Sequence, residues 1–344
     1  MPRSGRHPLK VNKFLSTKKK ILSIGTVVHI PNIEGYFEDS LKVLDLCIKS
    51  MHAHTSVDFD LHIFDNGSCN EVKEYLNKMY EQGFINTLTY SSKNLFKTGG
   101  LIHLLTQANN EYVAFTDSDV FFLPNWFNES KKIFDEFSDI GQVTSSPLAS
   151  NKDKGFIYNK FLNDLSQDKK AEIIYGNNLI DENYVNAHAM SLGEDPNEYK
   201  NTRLNNREDI LIKRNDVEAF LISVDFQFIT KKEIISKILP IELEDGEKIR
   251  EDQIYRPIFE KKLDDLNYWR VSTTTYNVHH MGNKIPNLKT ELPWINLDEL
   301  SLLPDYIPKK RIIKRKNRLL DSTRLRRVIK KIHLWTYRFL YERY

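Results

Sequence analysis

Two aspartates separated by one residue, Asp117 and Asp119, lie between two apolar runs in the first half of the chain. Carboxylates at this spacing provide hard oxygen ligands, which suit Mg²⁺ or Mn²⁺ shared with the phosphates of a substrate. A D-x-D sequence also occurs in solvated turns and turn caps. The apolar residues 120–123 favour the metal site, because a solvated turn rarely separates two buried runs.

A second acidic pair, Glu251 and Asp252, ends the acidic stretch 242–252. A carboxylate beside a metal-bound donor can act as a general base that takes the proton from an attacking hydroxyl. Acidic residues are also favoured at the N-terminus of a helix, and the sequence predicts a helix over 253–262. From the residues alone, both interpretations stay open.

The sequence VHHMGN at 278–283 adds two neighbouring imidazoles, His279 and His280. Neutral imidazole is a common ligand of transition metals, so one of them could complete a site begun by Asp117 and Asp119. A pair of surface or core histidines is the alternative. The Gly-Asn that follows predicts a tight turn, which would place at least one imidazole at a strand end.

The segment NLFKTGG at 94–100 is a polar loop with glycines that precedes a helix-like stretch. Backbone N–H groups at a helix N-terminus favour phosphate, and Lys97 could add a positive charge. The segment has neither a G-x-x-x-x-G-K-[ST] nor a G-x-G-x-x-G pattern. An ordinary helix-start turn is therefore the alternative.

The elements that must position these groups alternate between strand-like and helix-like patterns. The predicted strands are 21–28, 59–64, 87–90 and 112–115, and the predicted helices are 36–51, 71–81 and 101–108. This alternation predicts an α/β fold with a doubly wound, mainly parallel sheet and flanking helices. Ligands of such sheets bind at the carboxyl ends of strands, where Asp65 and both aspartates of the D-x-D sequence fall. The polar region 151–216 predicts helices and mobile loops around a cleft, and 220–229 and 268–276 predict further buried strands.

Composition limits the classes of protein that remain. The chain has 344 residues, 40% of them hydrophobic, which is enough for a sizeable core. Two cysteines exclude a disulfide-rich scaffold and a cysteine-based zinc site. No apolar run reaches the roughly 18–20 residues of a membrane-spanning helix. The first twenty residues lack the long apolar stretch of a secretory signal.

The net charge of +3 is distributed unevenly. Residues 309–344 carry 14 Lys and Arg against 2 acids, residues 1–20 carry 7 bases and no acid, and the rest of the chain is net −16. This asymmetry predicts an anionic partner for the basic ends, either a membrane surface or nucleic acid. A disordered basic tail is the alternative.

The basic C-terminal tail has the pattern of an amphipathic helix. Its apolar residues fall on one helical face: Leu325, Val328, Ile329, Ile332, Trp335 and Phe339. A basic helix of this kind suits an anchor lying in the plane of an anionic membrane surface. Packing on the body or on a partner subunit is the alternative. Nucleic acid is disfavoured as the partner, because no recognition motif accompanies the charge.

The order of these motifs resembles the family 2 glycosyltransferases of the GT-A fold, in their bacterial form. The resemblance extends from about residue 21 to 283 and is strongest at 63–68 (IFDNGS) and 112–126 (YVAFTDSDVFFLPNW). It implies a metal-dependent transfer of a sugar from a nucleotide-diphosphate donor, expected to be a UDP-sugar, to a hydroxyl of a glycan or lipid-linked acceptor. The expected outcome is inversion at the anomeric carbon, and the sugar is expected to be a hexose or an N-acetylhexosamine.

By position in the family, the residues expected to bind the donor are Thr26, Val28, Asp65, Asn94, Lys97, Asp117 and Ser118. Asp65 matches the acid that contacts the nucleobase or ribose. The first strand departs from the family, because it ends in VHIPN where Pro-x-Tyr-Asn is frequent.

The same resemblance implies the metal ligands and the catalytic acids. Mn²⁺ or Mg²⁺ is expected to bind Asp117, Asp119 and His280, with His280 preferred over His279. Asp252 is expected to be the general base, and Glu251 is expected to orient it or contact the acceptor.

The predicted organisation has three parts: a basic extension (1–20), a GT-A-like catalytic domain (21–303) and a basic amphipathic tail (304–344). The catalytic domain divides into a nucleotide-sugar half over 21–150 and an acceptor half over 151–303. The predicted location is cytoplasmic, peripheral on the inner face of the cell membrane. Two rival functions stay open: a sugar-phosphate nucleotidyltransferase, and a non-catalytic glycan- or membrane-binding module with the same fold.

Overall fold

A ten-stranded sheet and a separate two-stranded ribbon organise the protein. The structure is a computed structural model that describes residues 20–150, 158–240, 259 and 261–295. The described strands are β1 (Leu22–Val28), β2 (Phe59–Asn66), β3 (Thr87–Ser91), β4 (Tyr112–Asp117), β5 (Val120–Phe122), β6 (Ile140–Thr144), β7 (Ala171–Gly176), β8 (Asp209–Arg214), β9 (Val217–Leu221), β10 (Gln227–Lys231), β11 (Trp269–Ser272) and β12 (Val278–His280). The described helices are α1 (Ser40–His54), α2 (Asn70–Glu81), α3 (Phe96–Gln107), α4 (Trp126–Glu136), α5 (Asn159–Ser166), α6 (Glu182–Ser191), α7 (Pro196–Arg203), α8 (Lys232–Ile238) and α9 (Leu288–Glu291).

The large sheet has the order β3-β2-β1-β4-β10-β6-β11-β9-β8-β7. The first four strands are parallel to one another. The other half is mixed, because β10 is antiparallel to both β4 and β6 and β9 is antiparallel to both β11 and β8. Strands β3, β2, β1, β4, β6, β11 and β8 nevertheless share one direction, so the carboxyl ends of β1, β2 and β4 meet at one edge.

Helices pack on both faces of the sheet. Along β4, Tyr112 and Ala114 belong to the core formed with α1, α2 and α4, whereas Val113 and Phe115 belong to the core formed with α3 and α8. Gly100 lets α3 approach β1 closely, because a Cβ there would lie 2.7 Å from a methyl group of Val27. This two-sided packing fixes the sheet edge that carries the acidic residues.

The small ribbon joins the middle of the chain to its C-terminal part. Strand β12 runs antiparallel to β5, with His280 opposite Val120 and Val278 opposite Phe122. Both strands contain three residues. The Met281 N–H extends the pairing by donating to the Asp119 carbonyl over 2.7 Å.

The predicted fold class is confirmed: an α/β protein with a mainly parallel central sheet and flanking helices. Two details of the secondary structure differ from the prediction. The apolar run 220–229 forms parts of two strands, β9 and β10, and the polar region 151–216 contains β7 and β8 beside its helices. In the described part of the chain, no helix combines the length and apolarity needed to cross a membrane.

Several predictions fall on residues outside the described ranges. These include the basic extension over 1–20 except its last residue, the acidic pair Glu251 and Asp252, and the basic amphipathic helix in 304–344. The predicted domain boundaries stay predictions.

Candidate functional site

Two predicted acids flank strand β1 at the carboxyl edge of the sheet. The register pairs Val28 with Asp65 on β2 and Val27 with Asp117 on β4. The Asp65 side chain is fully buried, and its Oδ1 accepts a hydrogen bond from the Ser68 N–H over 3.2 Å. Its Oδ2 is buried without a hydrogen-bond partner. A buried carboxylate oxygen of this kind is suited to accept a donor group from a ligand.

The turn after β2 holds the loop that begins α3. The Asn66 side chain accepts from the Leu95 N–H over 2.7 Å and donates to the Asn94 side chain over 2.9 Å. Gly67 has a φ of 82°, and a Cβ there would lie 3.2 Å from the Asn94 nitrogen. A glycine is therefore needed where the two loops meet, and their contact fixes the start of the helix that carries Lys97.

Lys97 joins two acids from distant parts of the chain. Its Nζ lies 2.7 Å from Asp117 Oδ1 and 2.9 Å from Oδ2. The same ammonium lies 3.2 Å from the Asp225 carbonyl oxygen and 3.7 Å from its carboxylate. Asp225 was not among the predicted site residues. The signal that could have found it is a single acid inside the apolar run 220–229.

The charges around Lys97 and Asp117 shift both pKa values. Burial alone would lower the pKa of Lys97, but Asp117 and Asp225 outweigh it, so this pKa lies above its usual value. Burial raises the pKa of Asp117 to about 6, because the charge of Lys97 offsets only part of the desolvation. At neutral pH the two groups form an ion pair.

The second aspartate of the D-x-D sequence has a different partner. Asp119 Oδ2 lies 3.3 Å from His280 Nε2, and Asp119 Oδ1 is buried without a hydrogen-bond partner. Burial lowers the pKa of His280, but the hydrogen bond and charge of Asp119 outweigh it, so the pKa rises above its usual value. His279, the next residue back along β12, is fully buried and contacts Tyr276 and Glu291 instead. The structure therefore brings His280 to the aspartate and directs His279 elsewhere.

Two further rings, those of Phe226 and His188, lie beside Asp119 and His280. The Phe226 ring is 5.6 Å from that of His280 and stacks at 6.4 Å on the ring of His188 from α6. Burial lowers the pKa of His188 to about 4, so this imidazole is neutral at pH 7. Neither Phe226 nor His188 was predicted, because their proximity to His280 depends on the packing of α6 against the ribbon.

The donor set fits a divalent cation that is only partly held by protein. In the described ranges, no group of three or more His, Cys, Asp and Glu side chains is arranged to hold a metal ion. Asp119 and His280 converge, whereas Asp117 is occupied by Lys97. Mg²⁺ and similar ions commonly use one or two protein ligands, with water and substrate phosphates completing the shell. The buried, unpartnered Asp119 oxygen is consistent with such a ligand.

The remaining predicted donor residues lie in or beside these strands. Thr26 and Val28 are fully buried in β1, and the Thr26 hydroxyl has no hydrogen-bond partner. Ser118 lies in the turn between Asp117 and Asp119 and is partly exposed. Because both side chains are buried, a ligand could contact Thr26 or Val28 only through their backbone groups or after a small rearrangement of the strand end.

Comparison with known proteins agrees with the predicted resemblance. Residues 35–192 match the family model described as glycosyl transferase family 2. This part of the chain is therefore similar to family 2 glycosyltransferases, as the motif order predicted. No curated protein sequence matches the chain.

The chain is also similar to several solved structures, of which three follow. One is the mannosyltransferase PcManGT from Pyrobaculum calidifontis in complex with GDP-Man and Mn²⁺, at 14% identity and a TM-score of 0.39 over 74% of this chain. Another is S. aureus TarS 1–349, at 12% identity and a TM-score of 0.43 over 82% of this chain. TarS 1–349 in complex with UDP-GlcNAc gives 12% identity and a TM-score of 0.42 over 82%. The chain covers 55%, 64% and 65% of these three structures, respectively.

Proposed function

We propose that the protein is a metal-dependent glycosyltransferase that moves a sugar from a nucleotide-diphosphate donor to a hydroxyl of a glycan or lipid-linked acceptor. The observation that carries the proposal is the convergence of the Asp117-Ser118-Asp119 turn with His280 at the sheet edge that also holds Asp65. The family 2 match over 35–192 supports the same class of reaction. The donor is expected to be a UDP-sugar, with a hexosyl or N-acetylhexosaminyl group.

The nucleotide of the donor is expected to lie over the carboxyl ends of β1, β2 and β4. Asp65 offers its unpartnered oxygen to an N–H of the base or an O–H of the ribose. Asn94 shapes the loop before α3, and Lys97 brings a positive charge toward the phosphates. Thr26 and Val28 are proposed to contact the donor through backbone groups at the end of β1, and Ser118 through the turn beside Asp117.

Asp119 and His280 are the proposed holders of Mn²⁺ or Mg²⁺, with Asp117 beside them. When bound, the cation supplies positive charge that stabilises the diphosphate leaving group. Lys97 adds a second positive charge near the same oxygens. Asp117 keeps that ammonium in place, because their side chains are 2.7 Å apart.

Asp252 is the proposed general base and Glu251 its neighbour at the acceptor. The base takes the proton of the acceptor hydroxyl while that oxygen forms a bond to the anomeric carbon and the bond to the diphosphate breaks. A single displacement from the opposite face inverts the anomeric centre. The basic tail over 304–344 is proposed to hold the enzyme at an anionic membrane surface, on the cytoplasmic side.

A screen of nucleotide sugars tests the proposal. The protein is incubated with Mn²⁺ and one nucleotide sugar at a time, and thermal shift and nucleotide release are measured. A true donor raises the melting temperature, because ligand that binds only the folded state stabilises it by mass action. The absence of any shift or release across UDP-, GDP- and other nucleotide sugars would reject the proposal.

Three further measurements separate the finer alternatives. Consumption of a nucleoside triphosphate with release of pyrophosphate would identify a nucleotidyltransferase instead. Asp252→Asn should lower transfer by about three orders of magnitude, because the hydroxyl loses its base, while nucleotide binding is kept. NMR of the anomeric proton of the product reports inversion or retention.

A further inference from the structure

A polar network that is mostly buried lies directly behind the proposed metal ligand His280. The neighbouring residue His279 has no exposed surface and points away from Asp119, because successive side chains of a strand alternate. Its Nδ1 lies 2.9 Å from the Tyr276 hydroxyl and its Nε2 lies 2.9 Å from Glu291 Oε2. With the tyrosine O–H donating to Nδ1 and the Nε2–H donating to the carboxylate, all three side chains are hydrogen-bonded.

Glu291 ties this network to the C-terminal segment of the described chain. Its other oxygen, Oε1, accepts from the Asn287 N–H over 2.8 Å. The Trp294 ring then packs 5.5 Å from the ring of Tyr276 and 5.0 Å from that of Tyr184 on α6. Segment 287–295, β12 and α6 are thereby joined around the two histidines.

The ribbon that carries His280 needs such support. Strand β12 has three residues and its ladder partner β5 also has three. Two-stranded ribbons are marginally stable by themselves. The 3.3 Å approach of His280 to Asp119 therefore depends on what holds the other side of β12.

We infer that Tyr276, His279 and Glu291 are positioning residues that hold β12 so that the His280 imidazole faces Asp119 and a divalent cation. The inference rests on the proposed function, because it assumes that His280 binds the metal. The three residues do not touch the cation. They act through the backbone of the neighbouring residue.

Isothermal titration of the metal-free, full-length protein with Mn²⁺ alone tests this role. Glu291→Ala removes both acceptors and should weaken Mn²⁺ binding about tenfold, as loss of support for a ligand typically does. Glu291→Gln keeps a side-chain oxygen for His279 and should recover most of the affinity. Tyr276→Phe removes one hydroxyl while retaining the ring, and should weaken binding about threefold.

Met79→Ala is the matched control for a general loss of stability. Met79 is buried on α2, which packs against β3 rather than against the ribbon. It should lower the melting temperature by creating a cavity but leave Mn²⁺ affinity unchanged. A tenfold loss in Glu291→Ala with rescue by Glu291→Gln supports the inference.

Four outcomes would overturn it. Glu291→Ala could bind Mn²⁺ as tightly as the wild type, or lose no more affinity than Met79→Ala at an equal melting temperature. If Glu291→Ala does not fold, wild-type affinity in Tyr276→Phe overturns the inference by itself. A wild-type protein without measurable Mn²⁺ affinity would reject the metal in the proposed function, and this inference with it.

Discussion

Asp117 and Asp119 are two residues apart and almost equally exposed, with 27% and 28% of the side chain accessible, yet they contact different basic side chains. Asp117 is paired with a lysine from α3 on the large sheet. Asp119 meets a histidine from the small ribbon. The D-x-D sequence therefore divides between two substructures, because β4 ends at Asp117 and β5 begins after Asp119.

The sequence assigns both aspartates to one metal-binding motif, whereas their partners in the structure indicate two roles, metal binding and the positioning of Lys97. An ammonium that contacts both oxygens of Asp117 competes with a divalent cation for that carboxylate. An imidazole beside Asp119 is itself a metal ligand, and one Asp119 oxygen has no hydrogen-bond partner. We therefore expect Asp119 to contribute more to metal binding and Asp117 to contribute more to holding Lys97 near the donor.

Asp119→Ala should give the largest effect. Loss of a carboxylate ligand should reduce metal-dependent nucleotide-sugar turnover by about three orders of magnitude in kcat/KM. The measurement is release of nucleoside diphosphate at saturating Mn²⁺. Asp164→Asn, an exposed acid on α5, is the control and should retain wild-type turnover. If Asp119→Ala retains wild-type turnover, the proposed difference between Asp119 and Asp117 in metal binding is wrong.

His280→Gln should have the next largest effect. Removal of the imidazole should weaken Mn²⁺ binding by about 10- to 100-fold, since one ligand is lost while Asp119 stays. Calorimetric titration with Mn²⁺ measures this directly. Unchanged affinity would show that the ribbon does not take part in metal binding.

Lys97→Met should act in the opposite direction. Without the competing ammonium, Mn²⁺ should bind about tenfold more tightly in the absence of nucleotide, because a neighbouring like charge has been removed. Affinity for the nucleotide sugar should fall at the same time, since a positive charge near its phosphates is lost. A decrease in Mn²⁺ affinity would instead show that Lys97 supports the metal site.

The smallest expected effect is a pH dependence of stability in the metal-free protein. Because the folded pKa of His280 lies above 6.5, its ion pair with Asp119 stabilises the fold fully below the unfolded pKa and is lost as the pH rises through the folded pKa. His280→Gln should therefore cost more free energy of unfolding at about pH 5.5 than at about pH 9. Urea unfolding with a chelator present measures both values.

His188→Gln provides the opposite trend for the same measurement. Its folded pKa of about 4 lies below the unfolded value, so the wild type loses stability as the pH falls from 6.5 toward 4. The cost of His188→Gln should accordingly be smaller at about pH 5.5 than at about pH 9. Equal trends in both variants would contradict the assigned charge states.

The parallel half of the sheet could be predicted because each of its strands has a recognisable local sequence pattern. Strands β1, β2 and β4 are apolar runs that end in polar turns, and the intervening helices have regular apolar spacing. The mixed half gives weaker signals. Strands β7 and β8 carry charged residues, and β7 is only partly buried, so their pattern is not that of a buried strand. The loop between β9 and β10 could not be predicted, because it lies inside the single apolar run 220–229.

The same distinction applies to the candidate site. Asp65, Lys97 and the D-x-D aspartates could be located because they follow recognisable strand ends or precede a helix. The pairing of Lys97 with Asp225 could not, because it joins residues 128 positions apart through the alignment of β4 with β10. The choice between His279 and His280 likewise needed the register of the ribbon, since either imidazole satisfies the sequence pattern.

The ribbon also sets the order in which the site can be completed. Val120 pairs with His280, a residue that the ribosome adds 160 positions later. A nascent chain that has passed the D-x-D sequence already contains Asp117, Asp119 and Lys97, but it lacks the imidazole and the segment that fastens it. The proposed metal site is therefore assembled only after β12 has been synthesised, and a fragment that stops before β12 would carry its aspartates without a histidine partner.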